Sequence, residues 1–267
     1  MEQNILREGP VAGQVAVVTG AGQGIGRSIA LRLARDGMHV VVADLRAESA
    51  ERVAAEALAL GVRALPYALD VTDPAQRQAL LAATLAELGR LDALVNNAGI
   101  QITSGPLDVT EEHWDTMMNV NAKAVWFLCQ AALQHMLAQR SGRIVNVASA
   151  AGKIAATLYH PVYNVAKAGV IAMTKTFAHA TAGQGVRVNC VCPGVIATPM
   201  QDRIDDDFAR LMDKPPEQVR AERLARIPMR ALGSPDEVAD VVGFLIGPDS
   251  RYMTGQAINI SGGMVMF

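Results

Sequence analysis

A tyrosine and a lysine four positions apart, Tyr163 and Lys167, are the residues of this chain best suited to proton transfer. On a helix, that spacing places both side chains on one face, one turn apart. A free tyrosine titrates near ~10, so its phenol exchanges protons poorly at neutral pH, and a nearby ammonium favours the phenolate. The pair therefore has the composition of a general acid/base, although the same spacing also occurs in ordinary helices.

These side chains need a scaffold, and the chain has the size of one α/β domain. It has 267 residues, of which 51% are hydrophobic and 4% aromatic, as expected for a helix-covered sheet. The net charge of −2 gives no electrostatic reason to bind nucleic acid or an anionic membrane. We expect residues 1–12 to be a flexible lead-in without a signal-peptide core. We expect no membrane span, and therefore a cytoplasmic protein.

A glycine-rich turn near the N-terminus predicts a phosphate site. The β-branched run at residues 14–19 stops at a turn that contains Gly20, Gly24 and Gly26, and a helical pattern follows. Missing side chains let the backbone approach an anion, and a helix N-terminus supplies free N–H groups and a positive dipole end. The strict G-x-G-x-x-G spacing is not met, because Ile25 stands where the third glycine is expected.

Asp44 follows the second buried strand, predicted over residues 39–43. A carboxylate at this position can accept both adenosine ribose hydroxyls and repels a 2′-phosphate, which favours NAD over NADP. Gln23 brings no positive charge to the glycine loop, whereas Arg46 could reach a phosphate and keeps NADP open as an alternative. Asp44 could also cap the helix that begins near Arg46.

Strands and helices continue to alternate, without repeats or linkers. This rhythm predicts a parallel, doubly wound sheet (a Rossmann fold) in one domain over residues 13–267. Asp70, after the third strand, could contact the adenine edge or merely end the strand. Asn96 and Asn97 end the fourth strand, and the carboxyl edge of a parallel sheet is where ligands bind.

Two polar features inside apolar segments allow more than one interpretation. Asn121 lies in a helix predicted over residues 111–139, where its amide either satisfies helix packing or marks a local break that positions water. Cys129, Cys190 and Cys192 are expected to be buried, inert thiols. Neither these cysteines nor the five histidines show metal-ligand spacing, so no metal site is expected.

Taken together, the motifs resemble the short-chain dehydrogenase/reductase family over residues 12–263. The resemblance rests on Thr19-Gly20-x-x-x-Gly24-x-Gly26, Asn96-Asn97-Ala98-Gly99, Asn121, Ser149, Tyr163-x-x-x-Lys167 and Pro193-Gly194, which occur in one order. It implies that Tyr163 donates or accepts the substrate proton and that Ser149 hydrogen-bonds the substrate oxygen. It also implies that Lys167 grips the nicotinamide ribose while lowering the phenol's pKa, and that Asn121 carries a water relay.

The same resemblance implies a set of residues around an NAD cofactor. They are Gly20, Gln23, Gly24, Ile25, Gly26, Asp44, Leu45, Asp70, Val71, Asn97, Ala98, Gly99, Tyr163, Lys167, Pro193, Gly194, Ile196 and Thr198. Among them, Thr198 is expected near the nicotinamide amide. The loop between Ser149 and Tyr163 carries Tyr159-His160-Pro161 and is one residue longer than the commonest form, so the substrate wall is expected to differ from the family norm.

The last third of the chain is expected to complete the substrate site and the assembly. Residues 201–229 interrupt the alternation and are expected to form two short helices that act as a lid over the substrate. Ser234 is the expected N-cap of the final helix, and residues 252–260 the last strand. The apolar residues 262–267 are expected at a subunit contact, because the resemblance suggests a homotetramer.

These observations favour an NAD-dependent oxidoreductase that interconverts a secondary alcohol and a ketone. A modest resemblance points to polyol, sugar or acetoin-like substrates. The alternative within the same class is a 3-oxoacyl-thioester (acyl-carrier-protein) reductase, against which Asp44 argues because such reductases usually take NADPH. A different class is a non-catalytic nucleotide-binding scaffold on the same fold. The intact set of Ser149, Tyr163 and Lys167 argues against that class.

Overall fold

The computed structural model describes residues 11–154 and 159–267, which contain a seven-stranded parallel sheet. Its strand order is β3-β2-β1-β4-β5-β6-β7. The strands are β1 (Val15–Thr19), β2 (His39–Asp44), β3 (Ala64–Ala68), β4 (Ala93–Asn96), β5 (Gly142–Val147), β6 (Val186–Pro193) and β7 (Ala257–Ile260). The order reverses between β1 and β4, which creates the crevice where ligands bind in doubly wound folds.

Helices follow the strands and cover both faces of the sheet. They are α1 (Gly24–Arg35), α2 (Ala47–Leu58), α3 (Pro74–Leu88), α4 (Glu111–Met118), α5 (Ala124–Gln139), α6 (Ala151–Ile154), α7 (Pro161–Thr181), α8 (Pro199–Met212), α9 (Pro216–Arg226) and α10 (Pro235–Ile246). A π-helical turn, Asn119–Lys123, joins α4 to α5, and a short 3-10 helix, Pro248–Ser250, follows α10. In the described part of the chain, no helix is long and apolar enough to cross a membrane.

Two hydrophobic cores, one on each face, hold the sheet between its helices. Successive residues of β1 alternate between them: Val15 and Val17 belong to one core, and Ala16 and Val18 to the other. All five residues of β1 are buried, as expected for a strand covered on both faces. The predicted doubly wound parallel sheet is therefore confirmed.

The ends of several elements differ from the sequence predictions. Helix α1 begins at Gly24, inside the glycine-rich turn, and the helix predicted over residues 111–139 is interrupted by the π turn. The last strand is shorter than predicted, because only Ala257–Ile260 pairs with β6. The predicted lead-in falls mostly on residues 1–10, which lie outside the described residues, whereas Val11 is already buried in the core.

The glycine loop is packed so tightly that the fold has no room for a side chain at Gly20 or Gly26. A Cβ at Gly26 would lie 2.1 Å from the carbonyl oxygen of Gly20 and 2.4 Å from Nδ2 of Asn97. Gly20 also has a positive φ of 62° and would bring a Cβ within 2.8 Å of the Ala98 Cα. The first turn of α1 and the ends of β1 and β4 therefore touch through backbone atoms.

We predict that Gly26→Ala lowers the free energy of unfolding by about 2 kcal/mol or more, because the clash involves backbone that cannot move aside. Gly169→Ala on α7 is the matched control. No heavy atom lies within 4 Å of its added Cβ, and alanine in a helix should stabilise by about 0.5–1 kcal/mol. Urea unfolding of both variants checks the prediction, and equal stability of the two would contradict it.

Candidate active site

The ends of β1 and β4 are joined by the side chains of Thr19 and of Asn97, the second of which the family resemblance assigns to the cofactor. The Asn97 amide donates to the carbonyl oxygens of Thr19 and Gly20, both at 3.0 Å. The Thr19 hydroxyl accepts from the backbone N–H groups of Asn97 and Ala98, both at 3.1 Å. Asn97 thus shapes the loop through its side chain. The contact with the cofactor that was expected of it would be an additional role.

The N-terminus of α1 has the features of an anion site. No side chain caps its first turn, where Gln23 is the N-cap residue and Ile25 packs against the core. Gly24 has a positive φ of 53°, and a Cβ there would meet only the Thr198 side chain, at 3.4 Å. Uncapped N–H groups beside a backbone without side chains fit a pyrophosphate group.

Asp44 is buried at the C-terminal end of β2, as predicted, and its carboxylate holds the glycine loop. Its two oxygens accept from the Gly22 N–H at 2.9 Å and from the Arg46 N–H at 3.1 Å. The helix α2 has Arg46 as its N-cap residue, so the alternative reading of Asp44 as the cap is not what the structure shows. Its remaining lone pairs leave acceptor capacity for a ribose hydroxyl.

Three arginines lie at the same end of the loop, and sequence analysis considered only one. The Arg46 guanidinium donates to the Gln23 side chain at 2.9 Å, and Arg52 donates to the Gly22 carbonyl at 2.7 Å. Arg27 forms a close ion pair with Glu56. The sequence could have indicated Arg52, because this residue lies on α2, the helix that follows Asp44. These charges bear directly on the choice between NAD and NADP.

The other residues predicted at the adenine end have mixed environments. Asp70 accepts from both the backbone N–H and the hydroxyl of Thr72, at 2.8 and 2.7 Å through one carboxylate oxygen, as a strand-ending turn does. Val71 is buried, whereas the Leu45 side chain is 71% exposed. The structure therefore supports the local role of Asp70 and leaves its adenine contact as an expectation.

Ser149 and Tyr163 lie close enough to share a hydrogen bond. Ser149 lies two residues after the end of β5, and Tyr163 lies in the first turn of α7. The two side chains share a hydrogen bond that lowers the pKa of the phenol, but burial acts more strongly and raises the pKa of Tyr163 to about 12. The phenol is therefore protonated at neutral pH, so the lowered pKa that the spacing of Tyr163 and Lys167 predicts is wrong for this buried phenol.

Lys167 is buried one turn further along α7. Its Nζ donates to the carbonyl oxygen of Val147 at 2.8 Å and lies 5.6 Å from the centre of the Tyr163 ring. Burial lowers the pKa of Lys167 to about 8. The ammonium therefore stands on the same helix face as the phenol, as predicted, and is held in place by the end of β5.

Asn121 combines the two interpretations that its sequence context left open. It is fully buried in the π turn, and its amide is satisfied by the backbone of Ile100 in both directions, at 2.9 and 3.0 Å. A π turn is a local break in the α-helical pattern and is common at functional sites. A Cβ at Gly99 would lie 2.9 Å from the Asn121 Oδ1 and 3.5 Å from the Lys167 Nζ. Gly99 therefore allows these two side chains to flank one backbone position.

The end of β6 and the residues after it contact the turn after β5 and the glycine loop. Pro193 accepts from the backbone N–H of Ala150 at 2.8 Å, and Gly194 donates to Ile260 at 2.8 Å. Ile196 is buried in the core. Thr198 is the N-cap of α8, accepting from the Gln201 N–H at 3.2 Å, and its methyl group lies beside Gly24. The structure thus places Thr198 next to the glycine loop.

An aromatic cluster connects α8 and α9, which form most of the segment expected to be a lid, to α7, and the sequence did not reveal it. The ring of Phe208 in α8 lies 5.1 Å from Tyr159 and stacks at 5.9 Å on His160, which contacts the Tyr163 ring edge-on at 5.8 Å. Arg223 of α9 covers Phe208 at 4.9 Å. Burial lowers the pKa of His160, so its imidazole is neutral at pH 7.

The helices α8 and α9 are also joined by a largely buried ion pair. Arg223 donates to the Asp205 carboxylate at 2.7 Å, and Gln201 donates to the same oxygen at 2.8 Å. A cavity of about 490 Å³ lies between these groups and Thr198. Neither Tyr163 nor Ser149 lines this cavity.

The three cysteines are buried and have free thiols, in agreement with the sequence expectation. Burial raises the pKa of the Cys129 thiol to about 12, which makes it unreactive at neutral pH. Within residues 11–154 and 159–267, no group of three or more His, Cys, Asp or Glu is placed to hold a metal ion.

The fold and the site together define a dinucleotide-type oxidoreductase architecture, and comparisons with known proteins specify the family. A family model described as "Enoyl-(Acyl carrier protein) reductase" matches residues 20–265. The 3-oxoacyl-[acyl-carrier-protein] reductase of Thermotoga maritima is 41% identical over 254 residues, which cover 95% of this chain and 98% of the relative. The chain belongs to the short-chain dehydrogenase/reductase family and acts on a CH–OH or carbonyl group.

Two solved structures confirm this assignment at the level of the fold. A structure of NAD⁺-bound xylitol dehydrogenase superimposes with a TM-score of 0.92 at 32% identity, covering 95% of this chain and all (100%) of that one. A structure of actinorhodin polyketide ketoreductase with NADPH gives a TM-score of 0.91 at 34% identity, covering 95% and 98%. One neighbour binds NAD⁺ and the other NADPH, so the family supports nicotinamide binding without selecting the cofactor.

We predict that Lys167→Met stabilises the protein at neutral pH. The difference between the ordinary pKa of 10.5 and about 8 corresponds to about 3 kcal/mol, and loss of the hydrogen bond to Val147 offsets about 1 kcal/mol. Because the folded pKa is lowered, the cost of the buried charge is complete below pH 8 and vanishes as pH rises above 10.5. The net gain of about 2 kcal/mol should therefore disappear near pH 10.

Urea unfolding of the variant and the parent at pH 7 and pH 10 measures this gain. Lys175→Met is the matched control, because Lys175 is an exposed lysine on the same helix. It should leave stability within about 0.5 kcal/mol at both pH values. A Lys167→Met protein that is less stable than its parent at pH 7 would contradict the prediction. It would show that other groups in the folded protein offset the free-energy cost of burying the ammonium.

Proposed function

We propose that the protein is an NAD-dependent dehydrogenase that interconverts a secondary alcohol and a ketone, with Tyr163 as general acid/base. The observation that carries the proposal is the hydrogen bond between Ser149 and Tyr163, with the Lys167 ammonium on the same helix face. These groups stand at the carboxyl edge of the sheet, on the side of the strand-order reversal where the glycine loop also lies. A scaffold without catalysis would have no use for a buried lysine that costs stability.

The residues present fit a dinucleotide. Gly24 leaves open space in the loop, since a Cβ there would meet only the Thr198 side chain, and the first turn of α1 is uncapped. When bound, the nicotinamide ring accepts or supplies the hydride. Lys167 would hold its ribose, and Thr198, beside Gly24, would contact the cofactor near that loop.

The chain's own residues would transfer the proton to or from the substrate. In the direction of ketone reduction, the Tyr163 phenol is protonated at neutral pH and can donate to the developing alkoxide. The Ser149 hydroxyl would hydrogen-bond the same substrate oxygen and fix its distance from the phenol. In the direction of alcohol oxidation, the phenolate is required, so the rate should rise with pH. Asn121 would continue the proton path through a water held at the π turn.

We predict that Tyr163→Phe lowers kcat at least 1,000-fold, in line with the loss of general acid/base catalysis and of oriented hydrogen bonding. NADH affinity, followed by its fluorescence, should stay within about three-fold, because the ring and its contacts remain. Tyr252→Phe is the control, since Tyr252 is fully exposed. Substantial turnover by the Tyr163 variant would mean that another group moves the proton.

The preference for NAD is proposed from Asp44, which is buried at the C-terminal end of β2, where a carboxylate can accept the ribose hydroxyls. Its negative charge would repel a 2′-phosphate, although Arg46 and Arg52 are near enough to weaken that repulsion. The structure of NAD⁺-bound xylitol dehydrogenase supports this choice, and the NADPH-bound ketoreductase supports the alternative.

We predict that Asp44→Asn lowers the ratio of kcat/KM for NAD to that for NADP by about ten-fold, because it removes the charge and keeps one accepting oxygen for the loop. Asp44→Ala should lower the ratio further and also weaken binding of both cofactors, since the Gly22 N–H loses its acceptor. Asp115→Asn, at an exposed position on α4, is the control. An unchanged ratio in both Asp44 variants would assign discrimination to the arginines.

A second candidate function is the reduction of a 3-oxoacyl thioester. The relative from Thermotoga maritima favours it, and the polyol or acetoin-like subtype that the sequence suggested has support only from the xylitol dehydrogenase structure. A panel of polyols, sugars, acetoin and 3-oxoacyl esters, followed by NADH and NADPH absorbance, separates the two candidates. Activity confined to the 3-oxoacyl esters would replace the first proposal by the second.

The oligomeric state and the cellular location are also proposed from the sequence. A homotetramer is supported by exposed apolar side chains near the end of the fold: Met266 and Phe267 are 80% and 84% exposed. Such surface is more common at subunit contacts than on monomers. Light scattering of the purified protein measures the oligomeric state. We also propose a cytoplasmic location and a small-molecule substrate, without a nucleic-acid or membrane partner.

A further inference from the structure

The short helix α6 carries a lysine whose contacts lead away from the substrate. Lys153 Nζ donates to the backbone carbonyl oxygens of Ala257 at 2.9 Å and of Phe267 at 3.0 Å. The first belongs to β7, and the second to the segment after it, Ser261–Phe267, which we call the post-β7 segment. One side chain thus connects the turn after β5 to two separate stretches of backbone.

We propose that Lys153 is a positioning residue for the reaction, which holds the catalytic hydroxyl of Ser149 by anchoring α6 to β7 and the post-β7 segment. The inference rests on the proposed function, since it assigns to Lys153 the placement of a group that this function uses. Lys153 itself touches neither the phenol nor the expected substrate position.

The first step of the argument is that α6 determines where the Ser149 side chain points. The Ser149 Oγ accepts from the Ala151 N–H at 3.1 Å, and its backbone oxygen accepts from the Gly152 N–H at 3.0 Å. The Lys153 N–H donates to the Ala150 oxygen at 3.0 Å. A displacement of α6 would therefore rotate or release the serine hydroxyl.

The second step is that α6 also touches the catalytic helix. A Cβ at Gly152 would lie 2.7 Å from the backbone carbon of Lys167 and 2.8 Å from the Ala168 nitrogen. The missing side chain lets the two helices meet backbone to backbone. The distance between Ser149 and the Tyr163–Lys167 face of α7 consequently depends on how firmly α6 is held.

The third step is that α6 has little buried surface of its own. None of its described residues, Ala151–Ile154, is buried. The ammonium of Lys153 supplies two charge-assisted hydrogen bonds that hold α6 to β7 and to the post-β7 segment.

The fourth step is that the anchor is itself rigid. The Asn259 side chain donates to the oxygens of Val265 at 3.2 Å and Phe267 at 3.1 Å, and the Val265 N–H donates to the Ser261 hydroxyl at 3.2 Å. At its other end, the Gly262 oxygen accepts from the Met229 N–H at 3.0 Å, just after the lid helix α9. The post-β7 segment is thus tied at both ends before Lys153 reaches it.

Lys153→Met tests the proposal, because it keeps the apolar stem and removes the donor. We expect kcat to fall about ten-fold, as the loss of a charge-assisted hydrogen bond implies. The KM for NAD and the affinity for NADH should stay within about two-fold. Lys153→Arg should recover kcat to within about three-fold of the parent, and Lys175→Met, the exposed lysine used above, should leave kcat unchanged.

Hydrogen exchange gives a readout that does not require turnover. In Lys153→Met, the amides of residues 151–154 should exchange about ten-fold faster than in the parent, while those of β5 keep their protection. The proposal is overturned if kcat stays within two-fold of the parent, if exchange at residues 151–154 is unchanged, or if arginine restores no more activity than methionine. A parent protein that turns over no substrate would instead reject the proposed function, and the exchange comparison would still decide the role of Lys153.

Discussion

The close backbone contact between the first turn of α1 and the ends of β1 and β4 is the constraint on which the rest of the site depends. It exists because Gly20 and Gly26 carry no side chain and because the Asn97 amide donates to two carbonyl groups of the loop. This contact sets the space above the sheet edge. Asp44 fixes the other side of the same loop through the Gly22 N–H. The residues that hold the loop are therefore partly those that a dinucleotide would touch, so structural and binding roles overlap at single positions.

Tyr163 and Lys167 show how burial works against the charged forms of two neighbouring ionisable groups. Burial raises the pKa of Tyr163 to about 12 and lowers that of Lys167 to about 8, so each group is shifted away from its charged form. The two shifts point in opposite directions along the pKa scale and have one cause. A bound dinucleotide and substrate would add polar contacts to both groups, which is why a buried lysine can be retained here at a cost to the isolated fold.

Much of this architecture was predictable from sequence because its signals are local. Buried β-branched runs, glycine turns and capping residues locate the strands and helices, and Ser234 is indeed the N-cap of α10, where it forms a capping box with Glu237. The convergence of Ser149 with Tyr163 was predictable through the family resemblance. The contacts of Lys153, Arg52 and Phe208 were not, because each depends on long side chains that meet residues remote in sequence. The pKa of Tyr163 was also beyond sequence reasoning, since spacing shows the neighbouring ammonium and hides the depth of burial.

The helices α8 and α9 and the turn that carries Ser149 share supports. Phe208 of α8 stacks on His160, which in turn contacts Tyr163, while the backbone just after α9 is bonded to Gly262. The post-β7 segment, which contains Gly262, ends at Phe267, whose oxygen accepts from Lys153. The backbone after α9 and the turn after β5 are therefore bonded to the same stretch of chain. Since short helices and loops open at lower cost than the sheet, we expect these supports, more than the core, to decide how the site accommodates a substrate.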